Sequence, residues 1–451
     1  MPDTQHTDAP PVSEPVATPV SGPAAAPVRA PFPGTCAYVL LWFPLSSETF
    51  IFREVRELQA RGMPIDVFSL YAEKRAGQSQ EMRGYPGKVV RLGARATWTL
   101  FTTFLRHIRK HPRLVWQLTR EVLFRRLRNL EALGENSWAF FAGFWIGDRA
   151  SEAGITLFHA PWANGPATAA WVASRVSGIP FSFSGRAGDI YPQDGLLPEK
   201  IRDASFVRTN NQADVAWLEH HAPAGFEGKV RLVYNSLTLK ANADCTCPCQ
   251  PPYRVLAVGR LCRTKGFPYL LTAMARLRRE RFPVRLTLVG DGVWKRRIQG
   301  QIKRLRLEDA VDLPGFVPHD RIAEYMRSHD MLVMPSVVHS NGDRDGIPNV
   351  IMEALSHAMP VAASNVCGIA EVVRDGETGL LFPQRDAKAI AHAIRWVCGH
   401  REEALAMARR GMELVKTMFD AEANSGKLYE LYAAHAELPH GADSGSGRAE
   451  G

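Results

Sequence analysis

Short apolar runs recur along this chain, each closed by a Gly-, Pro- or Ser-bearing turn and followed by a stretch with helical periodicity. Residues 36–42, 64–69, 156–159, 180–184, 205–208 and 230–233 read as strands, with helices at 50–61 and 167–176 among them. The pattern then restarts. Strands at 254–258, 285–289, 311–313, 331–334 and 361–363 alternate with helices near 268–281, 295–306, 319–328 and 387–398. Strands that alternate with helices pair in parallel, because each crossover carries the chain back across the sheet. At 451 residues the chain exceeds one core. The expected fold class is α/β: two doubly wound domains that face each other across a cleft at the carboxyl ends of both sheets.

The domain boundary falls in the polar stretch 241–252. The expected layout is an N-terminal domain at 34–245 and a C-terminal domain at 246–437, with 416–437 as a segment that can return to pack on the first domain. Residues 1–33 carry nine prolines among Ala, Ser, Thr and Val, a composition that builds no core; this tail and 438–451 are expected to be disordered. Seven cysteines, an odd number, are scattered except for Cys245, Cys247 and Cys249. Their alternate spacing around Pro248 matches no usual zinc site, so the cluster reads as a thiol-rich linker.

Hydrophobic residues at 45% and charged residues at 22% are ordinary for a globular chain. No apolar run approaches the roughly 18–20 residues that span a bilayer. The stretch 138–146 is short enough for a buried strand or a helix segment. The start of the chain lacks the basic, then apolar, pattern of a signal peptide, so a cytoplasmic location is expected. The net charge of +9 asks for an anionic partner. Residues 95–129 hold nine Lys or Arg and a single acid, Glu121, among recurring apolar residues. Two basic amphipathic helices broken near Pro112 fit this pattern. They suit an anionic membrane surface rather than nucleic acid. The plainer alternative is a pair of domain helices with solvated basic faces.

Residues 342–354 hold the chemistry. Asp345 and Glu353 lie eight positions apart across a turn that opens a helix at 348–358, with Pro348 suited to its first turn. Backbone N–H groups at 346–350 and the helix dipole suit a diphosphate. Asp345 can face a sugar, and Glu353 can accept hydrogen bonds from vicinal hydroxyls. An acidic N-terminal turn on an ordinary helix is the alternative. Arg260, just past the strand at 254–258, and Lys265 after a short loop can neutralise a leaving diphosphate; a basic surface loop would look the same. Gly290-Asp291-Gly292 is a strand-to-helix turn that alone is weak evidence. Asp343 and Asp345 form a D-x-D pair, but its place before a helix start argues against a metal there.

Together these residues resemble glycosyltransferase family 4, retaining enzymes of the GT-B fold. The matching pieces are Gly259-Arg260 with Lys265-Gly266, Gly290-Asp291-Gly292, Pro314-Gly315-Phe316-Val317-Pro318, the Asp345/Glu353 pair and Gly376-Glu377-Thr378-Gly379-Leu380-Leu381. The resemblance covers 34–437 and is strongest over 254–385. Phe43-Pro44 with Ser47-Glu48-Thr49-Phe50-Ile51 is similar to an exopolysaccharide subgroup that includes colanic acid and amylovoran enzymes. The resemblance implies that Arg260 and Lys265 hold the donor diphosphate, and that Asp345 contacts the donor sugar with backbone at Gly346, Ile347, Pro348 and Asn349. It implies that Glu353 binds the ribose and that Phe316, Val317 and Gly290 line the donor site. Ser47, Glu48 and Asp189 fall on the acceptor side. No cofactor and no metal is implied; the leaving diphosphate itself takes the acceptor proton. Two departures stand out. Asp345 replaces the usual Glu, and Arg186, in Ser184-Gly185-Arg186-Ala187-Gly188-Asp189, stands where relatives have a histidine near the reaction centre. Arg186 is therefore expected to face the other domain and pair with an anionic acceptor group. The implied activity moves a sugar from a nucleotide-sugar to a lipid-linked oligosaccharide at the inner face of the plasma membrane. A non-catalytic nucleotide-sugar-binding scaffold, or a transferase with a soluble acceptor, are the alternatives.

Overall fold

The computed structural model describes residues 31–124, 130–192, 195–236 and 249–436. Among the described residues, one seven-stranded sheet runs in the order β3-β2-β1-β4-β5-β6-β7. Its strands are β1 (Thr35–Leu40), β2 (Ile65–Ser69), β3 (Val89–Arg91), β4 (Ile155–Ala160), β5 (Phe181–Ser184), β6 (Val207–Thr209) and β7 (Val230–Leu232). A six-stranded sheet runs β10-β9-β8-β11-β12-β13. It comprises β8 (Tyr253–Val258), β9 (Val284–Val289), β10 (Val311–Gly315), β11 (Met331–Met334), β12 (Val361–Ser364) and β13 (Leu380–Phe382). Every pairing is parallel. Helices cover both faces, which is why β4 and β11 are buried at every position and read as unbroken apolar runs. The strand order turns around between β1 and β4 in the first sheet and between β8 and β11 in the second. A ligand crevice opens at the carboxyl ends of strands at such a point.

The edge strands β3 and β13 are additions to the sequence reading. Val89–Arg91 is too short to stand out as an apolar run, and Leu380–Phe382 reads as the end of a turn. The stretch 138–146 is the middle of a 23-residue helix, Leu130–Glu152. Ala139, Phe140, Ala142, Phe144 and Ile146 are all fully buried, so no polar face marked its period. It packs closely on the Gly165–Ser177 helix, and a Cβ at Gly143 would fall 2.5 Å from Val172 Cβ.

The Ala421–Ala433 helix lies against the first domain. Tyr432 is fully buried with its Oη 3.0 Å from Tyr38 Oη, and Arg61 Nε donates to Ser425 Oγ at 2.8 Å. Phe32, within the segment expected to be disordered, is buried edge-on against Tyr429 and anchors the start of the domain. Residues 1–30 of that tail, the second tail at 438–451, and Cys245 and Cys247 lie outside the described residues.

The basic region forms helices Thr97–Lys110 and Pro112–Val122, broken where Pro112 predicts. Its apolar residues make two faces. Leu100, Val115, Leu118 and Val122 enter the core. Trp98, Phe101, Leu105 and Ile108, spaced 3-4-3, form a second stripe that faces outward, with Trp98 74% exposed. Trp116 and Phe124 are also exposed. The outer surface of these helices thus carries exposed cations, Arg106, Arg109, Lys110 and Arg113, together with an aromatic and aliphatic stripe that the sequence reading had not separated from the core face. Arg125, Arg126 and Arg128 lie outside the described residues. No described helix is long and apolar enough to cross a membrane.

Candidate active site

The turns after β8, β9 and β10 form one floor. Gly290 has φ +148°, and a Cβ there would fall 1.9 Å from Gly259 O, so the backbones meet where no side chain fits. Gly290 N–H donates to Gly315 O at 2.8 Å. Phe316 follows with its ring exposed and Val317 half-buried. Arg260 is exposed on the same floor. Lys265 and Asp345, eighty positions apart, form an ion pair with Nζ 2.8 Å from Oδ1. Ser336, just past β11, donates to the other carboxylate oxygen at 2.5 Å. Both partners are largely shielded from solvent. Asp343 lies beside this pair, and its carboxyl is pushed up by burial and then by the Asp345 charge. Gly346, Ile347 and Pro348 lead into the Asn349–Ser356 helix, so the unsatisfied amides of its first turn and its positive dipole end open next to Asp345.

Glu353, one turn into that helix, is engaged rather than free. Its Oε1 lies 2.8 Å from His319 Nε2, and His319 Nδ1 lies 3.5 Å from Arg53 Nη2. One neutral tautomer satisfies both contacts: Nε2–H donates to Glu353 and Nδ1 accepts from Arg53. Arg53 belongs to the first-domain helix Thr49–Ala60, so this chain of contacts crosses the cleft. Sequence reasoning did not single out Ser336, His319 or Arg53. The available signal for His319 was a polar ring directly after Pro314-Gly315-Phe316-Val317-Pro318.

On the other side, the loop after β1 carries Ser47, which is exposed, and Glu48, half-buried at the N-cap of Thr49–Ala60. Burial pushes the Glu48 carboxyl up to about 7, against the pull of Trp162, Arg186 and Arg260. Arg260 comes from the second domain, so both domains act on this carboxyl. Asp189 is committed to local structure. It accepts from Arg186 N–H at 2.7 Å and from Ala163 N–H, and burial pushes it up to about 7.

Arg186 does not present an open guanidinium to the cleft. It is buried: Nε donates to Pro161 O at 3.3 Å, Nη1 donates to Asn235 Oδ1 at 3.1 Å, and Nη2 sits 3.8 Å from Glu54. The Phe50 ring lies 4.5 Å from the guanidinium carbon. Only Nη2 lacks a hydrogen bond. A two-point contact with an anionic acceptor would displace Asn235 or Glu54, so the expected acceptor contact is replaced by a buried network. Glu54 accepts from Arg208 Nη1 at 2.5 Å and from Tyr38 Oη at 3.1 Å. His159 is held between Ser182 and Ser184, and burial followed by the nearby arginines keeps it well below the usual histidine range, hence neutral.

The domains also touch beside Asp345. Arg344 stacks 3.8 Å over the Tyr191 ring, and Glu371 accepts from Gln212 N–H and Tyr234 Oη, both at 2.8 Å. The arrangement is a cleft with a cation–carboxylate pair and a helix N-terminus on one wall and a protonatable carboxyl on the other. It can hold a phosphorylated sugar donor and bring a hydroxyl to it.

Two facing parallel-sheet domains with this cleft make up the GT-B fold, and comparison with known proteins gives the class of enzyme that it carries. Residues 250–413 match the family described as Glycosyl transferases group 1, and this match together with the relatives below makes the chain a glycosyltransferase. It is similar to WcaL of Escherichia coli (strain K12), provisionally named as a colanic acid biosynthesis glycosyltransferase, at 25% identity over 88% of this chain and 99% of that protein. It is also similar to the amylovoran biosynthesis glycosyltransferase AmsK of Erwinia amylovora, at 29% identity over 40% of this chain and 44% of that one. Among solved structures it shares its fold with Anabaena HepE in complex with UDP and glucose (TM-score 0.66, 18% identity, 89% of this chain and 100% of that one). Sucrose-phosphate synthase of Thermosynechococcus elongatus superposes with TM-score 0.67 at 20% identity, over 89% of this chain and 98% of that one.

Proposed function

We propose that this enzyme transfers a sugar from a nucleotide-sugar, with retention of configuration, to a lipid-linked saccharide at the cytoplasmic membrane face during exopolysaccharide assembly. The Lys265–Asp345 pair at the mouth of a helix N-terminus carries the reading. Arg260, Lys265 and the amides of 346–350 take the diphosphate, and Asp345 hydrogen-bonds the sugar. Glu353 exchanges His319 for the ribose hydroxyls. Phe316, Val317 and Gly290 border the base. In this reading Arg260 and Lys265 neutralise the diphosphate, so the transfer requires no divalent metal. The names of WcaL and AmsK support the exopolysaccharide setting. Mass spectrometry of lipid-linked intermediates in a strain lacking the gene tests the acceptor. A truncated lipid-linked saccharide should accumulate; an unchanged lipid pool rejects it.

Glu48 supplies a pH dependence. Its carboxyl is raised to about 7, so below that pH it is protonated and above it charged. In this reading the charged form accepts a hydrogen bond from the incoming acceptor hydroxyl. Acceptor kcat/KM should rise as pH increases through about 7, and Glu48→Gln should lower the plateau and remove the rise. An identical profile in the variant would exclude Glu48 from this role.

The outward stripe alters how the enzyme should bind a membrane. Cations draw it to anionic lipid with about 1 kcal/mol each near the surface. The exposed Trp98, Phe101, Leu105 and Ile108 add apolar burial of roughly 1.5–3 kcal/mol per fully buried side chain. High salt should therefore weaken vesicle binding without abolishing it. Trp98→Ser combined with Phe101→Ser should remove the salt-resistant part. Complete release of the unmodified enzyme by salt would show that the stripe does not insert.

A further inference from the structure

Between the Thr97–Lys110 and Leu130–Glu152 helices lies an open groove of about 330 Å3 lined by Leu100, Phe101, Gly134, Ser137, Trp138 and Phe141. Phe101 belongs both to this groove and to the exposed stripe, so the groove opens where the stripe would meet a bilayer. Its lining is apolar, and its two hydroxyls are already satisfied. Ser137 Oγ donates to Leu133 O and Thr97 Oγ1 to Ala94 O, both at 2.7 Å. A peptide segment in this groove would leave its backbone amides without partners; a hydrocarbon chain would not.

The Trp138 wall continues toward the cleft as an aromatic track. Trp138 Nε1 donates to Leu70 O at 2.9 Å. Its ring stacks on Tyr71 with centroids 6.3 Å apart and planes 12° from parallel, and Tyr71 meets Trp42 at 4.9 Å. Trp42 and Tyr71 follow the carboxyl ends of β1 and β2, the side of the sheet that faces the cleft. Lys74 Nζ sits 4.7 Å over the Trp42 ring, exposed and without an ion pair among the described residues. The nearby acids are engaged: Glu73 pairs with Arg75 and Arg91, and Glu135 accepts from Gly165 N–H. The route is thus apolar at the membrane end and cationic at the cleft end, complementary to a hydrocarbon chain that ends in a diphosphate.

We infer that this groove holds the hydrocarbon chain of a lipid-diphosphate-linked acceptor, and that the Trp138–Tyr71–Trp42 track with Lys74 leads its diphosphate end to the cleft. The inference rests on the lipid-linked acceptor proposed above and adds where its chain lies.

Gly134→Leu tests it. Among the described residues a Cβ at Gly134 meets no atom within 4 Å, so the larger side chain grows into the groove without a clash. Replacing glycine inside a helix also favours folding. The full chain is titrated calorimetrically with farnesyl diphosphate and with inorganic diphosphate. The wild type should bind farnesyl diphosphate at least about tenfold tighter than inorganic diphosphate. Gly134→Leu should remove that margin while leaving partition onto neutral vesicles unchanged. Equal binding of farnesyl diphosphate by both proteins, or no margin over inorganic diphosphate in the wild type, overturns the inference. Loss of vesicle partition in Gly134→Leu also overturns it, since the groove would then be part of the bilayer contact. A transfer assay separates the two proposals. Wild-type transfer to a lipid-free saccharide as efficient as to a lipid-linked one refutes the lipid acceptor. A strict lipid requirement that Gly134→Leu does not weaken refutes the groove alone.

Discussion

Asp345→Ala should lower turnover by about 10²- to 10³-fold, the loss seen when one group that stabilises a transition state is removed. The carboxylate sits at a helix mouth between Lys265 and Ser336, so its loss strips the sugar side of the site and leaves Lys265 without its partner. Donor affinity should change far less, because Arg260 and the helix amides remain. Glu353→Gln should show the opposite division. A charged acceptor for two hydroxyls is lost, at about 1.5–3 kcal/mol, and donor binding should weaken about 10- to 100-fold with kcat less affected. Steady-state kinetics at limiting and saturating donor separate the two. Full activity of both variants under both conditions would remove these residues from the site.

Glu54→Leu should destabilise the enzyme by about 3–5 kcal/mol, because it leaves Arg208 buried without its carboxylate and also unbalances Arg186. The three charges lie within a single buried cluster with Tyr38 and Tyr432, so solvent screens little of the loss. The melting temperature should fall by roughly 6–20 °C. Glu324→Gln, which breaks an exposed pair with Arg321, should shift stability by less than about 1 kcal/mol. A Glu54→Leu protein that melts with the wild type would mean that the cluster is solvated in solution.

The strands and most helices were legible because parallel sheets bury both faces and leave unbroken apolar runs. Residues 331–334 and 156–159 announce β11 and β4 in this way. The Asp345 turn was legible for a different reason: Pro348 suits the start of a helix, and an apolar run follows it. Pairing over long separations was not legible. Nothing local says that Lys265 reaches Asp345, that His319 takes Glu353, or that Arg53 crosses from the other domain to meet His319. Arg186 shows the same limit. Its place after β5 put it near the cleft, but the carboxylate that meets it, Glu54, sits far away in the chain on the Thr49–Ala60 helix, and nothing local links the two. In Thr97–Lys110 the apolar residues were read correctly, and only the packing shows that Trp98, Phe101, Leu105 and Ile108 are left outside the core.

The most direct measurement is transfer of label from a panel of radiolabelled nucleotide-sugars into the organic-extractable lipid of membranes from the deletion strain, with purified enzyme and with or without a chelator. Label should enter the lipid fraction from one donor, survive the chelator, and fall at least about 10²-fold with Asp345→Ala. Label that stays in the aqueous phase for every donor, or that enters lipid equally with Asp345→Ala, would contradict the proposed transfer.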